Sequence, residues 1–230
     1  MIFAGIAAGG TGSRMGADIP KQFIELKGKP IIIRTAEKFL SDNRIEKIYL
    51  GVHRDWTAYT QDLIEKYIIP KERICVIQGG TDRNSTVLEI IKRISEDYDI
   101  SSDDIILTHD AVRPFVTDRI INDNIETALS GKPCTTAVKA TDTILYSENG
   151  AEIEKTLKRS CLYQAQTPQS FNIQTFVNAY SKLTDQQKCS LTDACGVFNG
   201  AGIPVSIVNG DLSNIKITTP CDLKIAEALI

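Results

Sequence analysis

No apolar run in the 230-residue sequence approaches the ~18–20 residues that a membrane-spanning helix needs, so no membrane partner is expected. Cysteine is sparse and scattered. Cys75, Cys134, Cys161, Cys189, Cys195 and Cys221 include no C-x-x-C pair, and a run such as Ile74-Cys75-Val76-Ile77 uses cysteine as a small buried hydrophobe. The two histidines, His53 and His109, lie far apart, so no structural zinc is expected. Neither charge dominates: 26 Lys and Arg against 29 Asp and Glu leave −3, which argues against a nucleic-acid partner. Any phosphate the chain handles must be gripped by a local basic site. Met1-Ile2-Phe3-Ala4-Gly5 has neither a basic n-region nor a cleavage site, so a cytoplasmic location is expected. What remains is ordinary globular composition, 42% hydrophobic and 24% charged, at a length that suits one medium domain.

Short apolar runs alternate with longer amphipathic stretches. Strands are expected at Ile2–Ala8, Lys47–Val52, Arg73–Gln78 and Asp104–Thr108, and helices at Pro30–Leu40, Trp56–Ile68, Arg83–Tyr98 and Asp118–Ser130. That alternation predicts a parallel sheet with helices on both faces and right-handed crossovers. After Gly131 the pattern changes. Thr135–Thr143 reads as a strand, and 140–163 as an antiparallel excursion from the sheet, an arm. Helices follow at Ile173–Leu183 and Ser190–Gly200, a strand at Pro204–Val208 and a last helix from Pro220. Without a linker rich in Pro, Ser or Gly, and without a repeat, a single domain over 1–230 is expected.

The first strand runs into Ala7-Ala8-Gly9-Gly10-Thr11-Gly12-Ser13-Arg14-Met15-Gly16. Small residues at a strand's carboxyl end let backbone N–H groups approach an anion. Two familiar nucleotide motifs are absent. A G-x-G-x-x-G starting at Gly10 meets Met15 where the third glycine belongs, and no Gly-Lys-Ser/Thr occurs. On its own the loop also suits a plain turn. Arg14 and Lys21 flank it, as two cations on a triphosphate would, although each alone also reads as a solvated surface charge.

Thr108-His109-Asp110-Ala111-Val112-Arg113-Pro114 follows an apolar strand, where a carboxylate such as Asp110 suits Mg²⁺ and Arg113 suits a second anionic substrate. Asp110 as a turn cap paired with Arg113 fits equally, and His109 reads as an orienting or packing residue rather than a general base. Gly79-Gly80-Thr81-Asp82-Arg83-Asn84-Ser85-Thr86 opens a helix; it suits either the same crevice or a simple cap. Ser213-Asn214-Ile215-Lys216-Ile217-Thr218 reads as a strand carrying one Lys, either aimed at a ligand or guarding a sheet edge. A nicotinamide-dependent oxidoreductase is the rival from another class, but Val52-His53-Arg54 stands where its acidic ribose ligand would end the second strand. A non-catalytic nucleotide-binding module is a further alternative.

Taken in order, these stretches resemble the cytidylyltransferases that activate sugar-alcohol phosphates. The marks are Ala8-Gly9-Gly10-x-Gly12-x-Arg14-Met15-Gly16, Pro20-Lys21-Gln22-Phe23, Gly79-Gly80-x-Asp82-Arg83 and His109-Asp110-x-Val112-Arg113-Pro114. Gln166-Thr167-Pro168-Gln169, Thr192-Asp193-Ala194 and Asn214-Ile215-Lys216 complete the set, which spans essentially the whole chain. Gly51-Val52-His53-x-Asp55-Trp56 and Leu191-Thr192-Asp193-Ala194-Cys195 are similar to the ribitol 5-phosphate branch rather than the 2-C-methyl-D-erythritol 4-phosphate branch.

The resemblance implies a three-layer, doubly wound α/β fold with a mostly parallel sheet, of the Rossmann-like nucleotidyltransferase type, and a protruding β-arm. It implies CTP and a polyol phosphate as substrates, Mg²⁺ as cofactor and a homodimer. By the same likeness Ala7, Ala8, Gly9, Gly10, Gly12, Lys21 and Ala111, with Gly80, Thr81, Asp82, Arg83, Asn84, Ser85 and Thr86, hold the nucleotide. Arg14, Lys21 and Lys216 are the implied catalytic cations and Asp110 the metal ligand. Arg113, Thr143, Arg159 and Lys216 are the implied polyol phosphate contacts, with Arg159 reaching into a partner's site.

Overall fold

The computed structural model describes residues 1–10 and 19–230. β1 (Ile2–Ala8) precedes a one-turn 3-10 helix (Lys21–Phe23), a hairpin of β2 (Glu25–Leu26) and β3 (Lys29–Pro30), and α1 (Ile31–Leu40). The chain continues through β4 (Ile45–Val52), α2 (Thr57–Tyr67), β5 (Ile74–Gln78), α3 (Arg83–Asp97), β6 (Ile105–Asp110), α4 (Asp118–Leu129) and β7 (Cys134–Lys139). β8 (Leu145–Tyr146) and β9 (Lys155–Thr156) pair with each other alone, as an antiparallel hairpin. β10 (Tyr163–Asn172) returns to the main sheet, followed by α5 (Ile173–Ser181), α6 (Asp185–Ser190), α7 (Ala194–Gly200), β11 (Ser206–Asn209) and α8 (Pro220–Leu229).

Among the described residues the main sheet has seven strands in the order β11-β7-β10-β6-β1-β4-β5. From β1 the chain winds outward through β4 and β5, then crosses back to lay β6 along the other edge of β1. That reversal is a topological switch point, and ligands in open α/β sheets bind beyond the carboxyl ends of the strands that flank it. Ala7 of β1 and Asp110 of β6 are register partners there.

Strand alternation divides the core into two layers. Ala4, Ile6, Ile48, Leu50 and Leu107 face α1, α2 and α4 through Ile32, Phe39, Ile64 and Ile121. Phe3, Tyr49, Ile106 and Phe171 face α3, α5 and α7 through Ile90, Ile94, Phe176 and Phe198. This is the expected three-layer α/β arrangement, with each fully buried apolar side chain contributing about 1.5–3 kcal/mol before entropy is set against it. The β2–β3 turn needs left-handed backbone at Lys27 (φ 46°) and Gly28 (φ 74°), and glycine meets that demand without a side-chain clash.

The structure departs from the sequence reading in four places. The sheet is mostly parallel, as expected, but it holds a strand the sequence reading left out: β10 lies between β6 and β7 and runs antiparallel to both. This strand is not legible locally because Tyr163-Gln164-Ala165-Gln166-Thr167-Pro168-Gln169-Ser170 is polar and contains proline, which belongs at sheet edges by default. Its pairing with β7 is irregular between Ala165 and Gln169, the stretch that holds Pro168. Of the expected helix Ser190–Gly200 only Ala194–Gly200 is helical as α7, starting at the Asp193 cap, while α6 is a further short helix that Thr184 caps just before it. Ser213–Thr218 is not a strand; Ile217 donates one backbone bond to Val112 O and is fully buried beside Leu26, Ile31 and Ala226. Cys75 is only partly covered, whereas Cys134 and Cys195 are the buried thiols.

Candidate active site

A cleft opens at the switch point, lined by Ala7, Ala8, Gly9 and Gly10, Lys21 and Gln22, Gly80 to Arg83, Thr86, Asp110 to Val112, and Lys216. Its floor is backbone. Ala8 ends β1 nearly buried, and a Cβ built on Gly10 would meet nothing within 4 Å among the described residues. Gln22, 2% exposed, donates from Nε2 to Ala8 O (2.7 Å) and Gly10 O (3.1 Å). It thereby ties the end of β1 to the short helix that carries Lys21. Behind it Phe23 is buried against Trp56 and Tyr59 at ring separations of 5.1 and 5.3 Å, which anchors that helix. Arg14 and Gly12 lie outside the described residues.

The second loop organises itself. Asp82 caps α3, its Oδ1 accepting from Asn84 N and Ser85 N, while Ser85 Oγ accepts from Asp82 N to close a capping box. Thr86 Oγ1 accepts from Gly80 N at 3.1 Å and donates to Asp82 O at 2.8 Å. A Cβ on Gly80 would fall 2.3 Å from Ser85 Oγ and 2.7 Å from the Ser85 carbonyl carbon, so only glycine fits. Gly80, Thr81, Asp82, Arg83 and Thr86 line the cleft, whereas Asn84 and Ser85 are not among the lining residues.

Asp110 is the electrostatic centre. Its Oδ1 accepts from Arg83 Nε at 3.1 Å, and its Oδ2 lies 2.9 Å from Lys216 Nζ and 3.5 Å from Arg113 Nε. Burial alone would raise its pKa, but Arg83, Lys216 and Arg113 outweigh that and hold the carboxyl well below the usual range. Lys216 reaches it because Ile217 is fixed in the apolar cluster with Val112, leaving the intervening side chain to point into the cleft. Arg113 is 8% exposed and not a lining residue. It donates to Asn214 O (2.8 Å) and Ala165 O (3.4 Å), bracing the Lys216 segment against β10.

Beneath Asp110, His109 is fully buried against the Phe39 ring. Its Nε2 is 3.0 Å from Arg113 O and its Nδ1 3.0 Å from Thr167 Oγ1, while Thr167 Oγ1 accepts from Asp110 N. A carbonyl only accepts, so the network assigns the proton to Nε2, and the Thr167 hydroxyl then donates to Nδ1. Burial pushes the imidazole pKa down to about 4, which keeps it neutral near pH 7. His109 is therefore an orienting residue, as expected, and not a base facing the cleft.

Gln22, Thr167, Gln169 and Asp193 support the site without having been assigned roles from sequence. Gln169, 1% exposed, accepts from Arg83 Nη1 (3.0 Å) and Ala194 N (3.2 Å) and donates to Asp193 Oδ2 (2.7 Å) and Thr135 Oγ1 (3.2 Å). A buried Gln or Thr inside a polar run carries no periodic signal; only its burial reveals the role. Thr143 and Arg159 belong to the excursion around the β8–β9 hairpin. Both are exposed, Arg159 donates to Thr141 O (3.1 Å), and neither lines the cleft.

Comparison with known proteins agrees along the full length. The sequence matches the family described as IspD, 2-C-methyl-D-erythritol 4-phosphate cytidylyltransferase, over residues 2–230. A ribitol-5-phosphate cytidylyltransferase of Streptococcus pneumoniae (strain Hungary19A-6) is 49% identical over 232 aligned positions, covering 100% of this chain and 99% of that protein. Among solved structures, the 2-C-methyl-D-erythritol 4-phosphate cytidylyltransferase of Francisella tularensis superposes with a TM-score of 0.80 at 30% identity, covering 100% of this chain and 99% of that one. The 4-diphosphocytidyl-2C-methyl-D-erythritol synthase of Anaerococcus prevotii DSM 20548 also gives 0.80, at 29% identity, covering 99% and 95%.

Proposed function

The chain belongs to the 2-C-methyl-D-erythritol 4-phosphate cytidylyltransferase family, and we propose that it transfers CMP from CTP to ribitol 5-phosphate, giving CDP-ribitol and pyrophosphate. The observation that carries the reading is the meeting of Lys21, Arg83, Asp110 and Lys216 at one glycine-floored cleft on the switch point. End-to-end likeness to the pneumococcal enzyme supports ribitol 5-phosphate as the acceptor. The second reading, 2-C-methyl-D-erythritol 4-phosphate, is favoured by the solved relatives.

The chemistry asks little of a base. A phosphate monoester has its second pKa near ~6 and is already largely dianionic at pH 7. One of its oxygens attacks the α-phosphorus of CTP, the bond from that phosphorus to the β-bridging oxygen breaks, and pyrophosphate departs with the electron pair. The obstacle is repulsion between anions, which fixed cations and held geometry relieve. In this reading Ala7–Gly10 and the Gly80–Thr86 loop hold the nucleotide, with Gly12 and Ala111 beside it. Arg14 and Lys21 stabilise charge at the α-phosphate, and Lys216 receives the polyol phosphate.

Among the described residues no cluster of three or more His, Cys, Asp and Glu side chains forms a metal cage. A single ionised carboxylate at the cleft nevertheless suits Mg²⁺, which takes one or two carboxylates plus substrate phosphates. Among the described residues Asp110 Oδ1 accepts from Arg83 Nε, and a carboxylate oxygen has a second lone pair for a cation. Mg²⁺ held by Asp110 and the triphosphate would neutralise charge on the α-phosphate and the leaving group.

Residues 1–230 act as one domain in the cytoplasm, with the 140–163 excursion as the dimerisation arm of a homodimer. Thr143 and Arg159, absent from the cleft of their own chain, then complete the polyol phosphate site of the partner, and Arg113 supports it from below. The test is to incubate the protein with CTP, Mg²⁺ and ribitol 5-phosphate and follow pyrophosphate. Parallel reactions with 2-C-methyl-D-erythritol 4-phosphate and with the other nucleoside triphosphates separate the readings. No pyrophosphate with either polyol phosphate would overturn the assignment.

A further inference from the structure

Among the described residues Arg83 is the cleft cation whose guanidinium is held at two corners by side chains from different strands. Nε donates to Asp110 on β6 and Nη1 to Gln169 on β10. Its third nitrogen, Nη2, is buried and finds no partner among the described residues. A buried guanidinium N–H without an acceptor is costly, and an oxygen of a ligand bound in the cleft that Arg83 lines would supply one.

What aims Arg83 is the orientation of the Gln169 amide. Gln169 has to present its oxygen to Arg83 and Ala194 N, both donors, and its nitrogen to Asp193 Oδ2 and Thr135 Oγ1. Asp193 settles the choice, because a carboxylate can only accept. The other Asp193 oxygen accepts from Gly196 N and caps α7. Hydrogen bonds thus run from the start of α7 through Asp193, Gln169 and Arg83 to Asp110, four stretches distant in sequence. We propose that Gln169, oriented by Asp193, is a positioning residue that holds Arg83 against Asp110 and leaves its free N–H aimed at the bound nucleotide. The effect on CTP rests on the proposed function; the relay does not.

The direction of the bonds supplies a rescue test. In Asp193→Asn the amide must still accept from Gly196 N, so its nitrogen faces Gln169. The Gln169 amide then turns over and sets N–H against Arg83. In Gln169→Glu a buried carboxylate is set against the half-buried carboxylate of Asp193. Each single change breaks the relay, whereas the double variant Gln169→Glu/Asp193→Asn rebuilds it with donor and acceptor exchanged and the same total charge. Asp193→Ser provides a second disruption that keeps a good N-cap for α7.

Two measurements read the outcome. In protein carrying ¹⁵N-arginine, the Arg83 Nε–H signal, assigned by its loss in Arg83→Lys, should exchange slowly in the wild type. It should lose that protection in Asp193→Asn and Asp193→Ser and regain it in the double variant. The dissociation constant for CTP should rise about tenfold or more in the single variants and return to within about threefold in the double, at matched melting temperatures. Unchanged Nε–H protection in both Asp193 variants would overturn the relay, as would a folded double variant that regains neither signal nor affinity. A wild type that binds no CTP would count against the proposed function instead, and the Nε–H signal would still decide the relay.

Discussion

Lys216 Nζ lies 2.9 Å from Asp110 Oδ2, an ion pair that joins the segment before α8 to the end of β6. Asp110 is buried, while the Lys216 side chain remains 43% exposed. Among Arg83, Arg113 and Lys216 around Asp110, Lys216 is thus the one best placed to move toward an incoming phosphate. Arg113 is tied to two carbonyls and Arg83 to Gln169.

Replacing Lys216 should therefore injure acceptor binding first. A hydrogen bond to a charged group contributes about 1.5–3 kcal/mol, so Lys216→Ala should raise KM for the polyol phosphate by roughly tenfold to a hundredfold. CTP affinity should change less. Steady-state kinetics with each substrate varied checks this, and an unchanged acceptor KM would remove Lys216 from the phosphate site.

Lys21→Ala should behave differently, with kcat falling far more than either KM rises. Loss of a charge-stabilising donor costs about 2.7–4 kcal/mol, or ~10²–10³ in rate. The same split is expected for Arg14→Ala. Near-normal turnover in either variant would sink its role at the α-phosphate.

Gly80→Ala drives a methyl into Ser85, 2.3 Å from Oγ and 2.7 Å from its carbonyl carbon. The capping box at the start of α3 must open to admit it, displacing Arg83 from the cleft. CTP affinity, followed by calorimetry, should fall by at least about tenfold, with a lower melting temperature alongside. Wild-type binding would mean that the second loop does not hold the nucleotide.

Stability should depend on pH through His109. Its folded pKa, about 4, lies below its ordinary value of 6.5, so between those limits the unfolded chain binds more protons. Stability then falls as pH drops from 6.5 to 4, by on the order of 3 kcal/mol. Asp110 acts elsewhere: its lowered pKa gives stability that is whole above the unfolded value near ~3.9 and lost only as pH falls through the folded value. Urea titrations at several pH values should show the slope above pH 4 flatten in His109→Gln; an unaltered slope would place the proton uptake on another group.

Arg159→Ala should raise KM for the polyol phosphate and leave CTP binding intact, because Arg159 lies off the cleft of its own chain. Mixing this variant with Lys21→Ala tests action across a dimer. A hybrid pairs one intact site with one doubly damaged site, so the mixture should recover activity above the sum of the two. No recovery, with exchange of subunits verified, would place Arg159 outside the partner's site.

The chain alone determined the alternation of β1 to α4 to within about two residues, the β2–β3 hairpin apart, because each buried strand and amphipathic helix declares itself through its own neighbours. It also marked most of the cleft, since glycine loops and cations at strand ends are local features: Gly80, Asp110 and Lys216 were all legible. Tertiary structure decided the rest. β10 is a central strand despite its glutamines and Pro168, because His109, Arg83 and Asn214 satisfy its polar side chains and carbonyls from far along the chain. Asp110 meets Arg83, Arg113 and Lys216 only because β6, α3 and the segment before α8 converge on it. A buried hydrogen bond is a relation between distant residues, and no window along the sequence contains both of its ends.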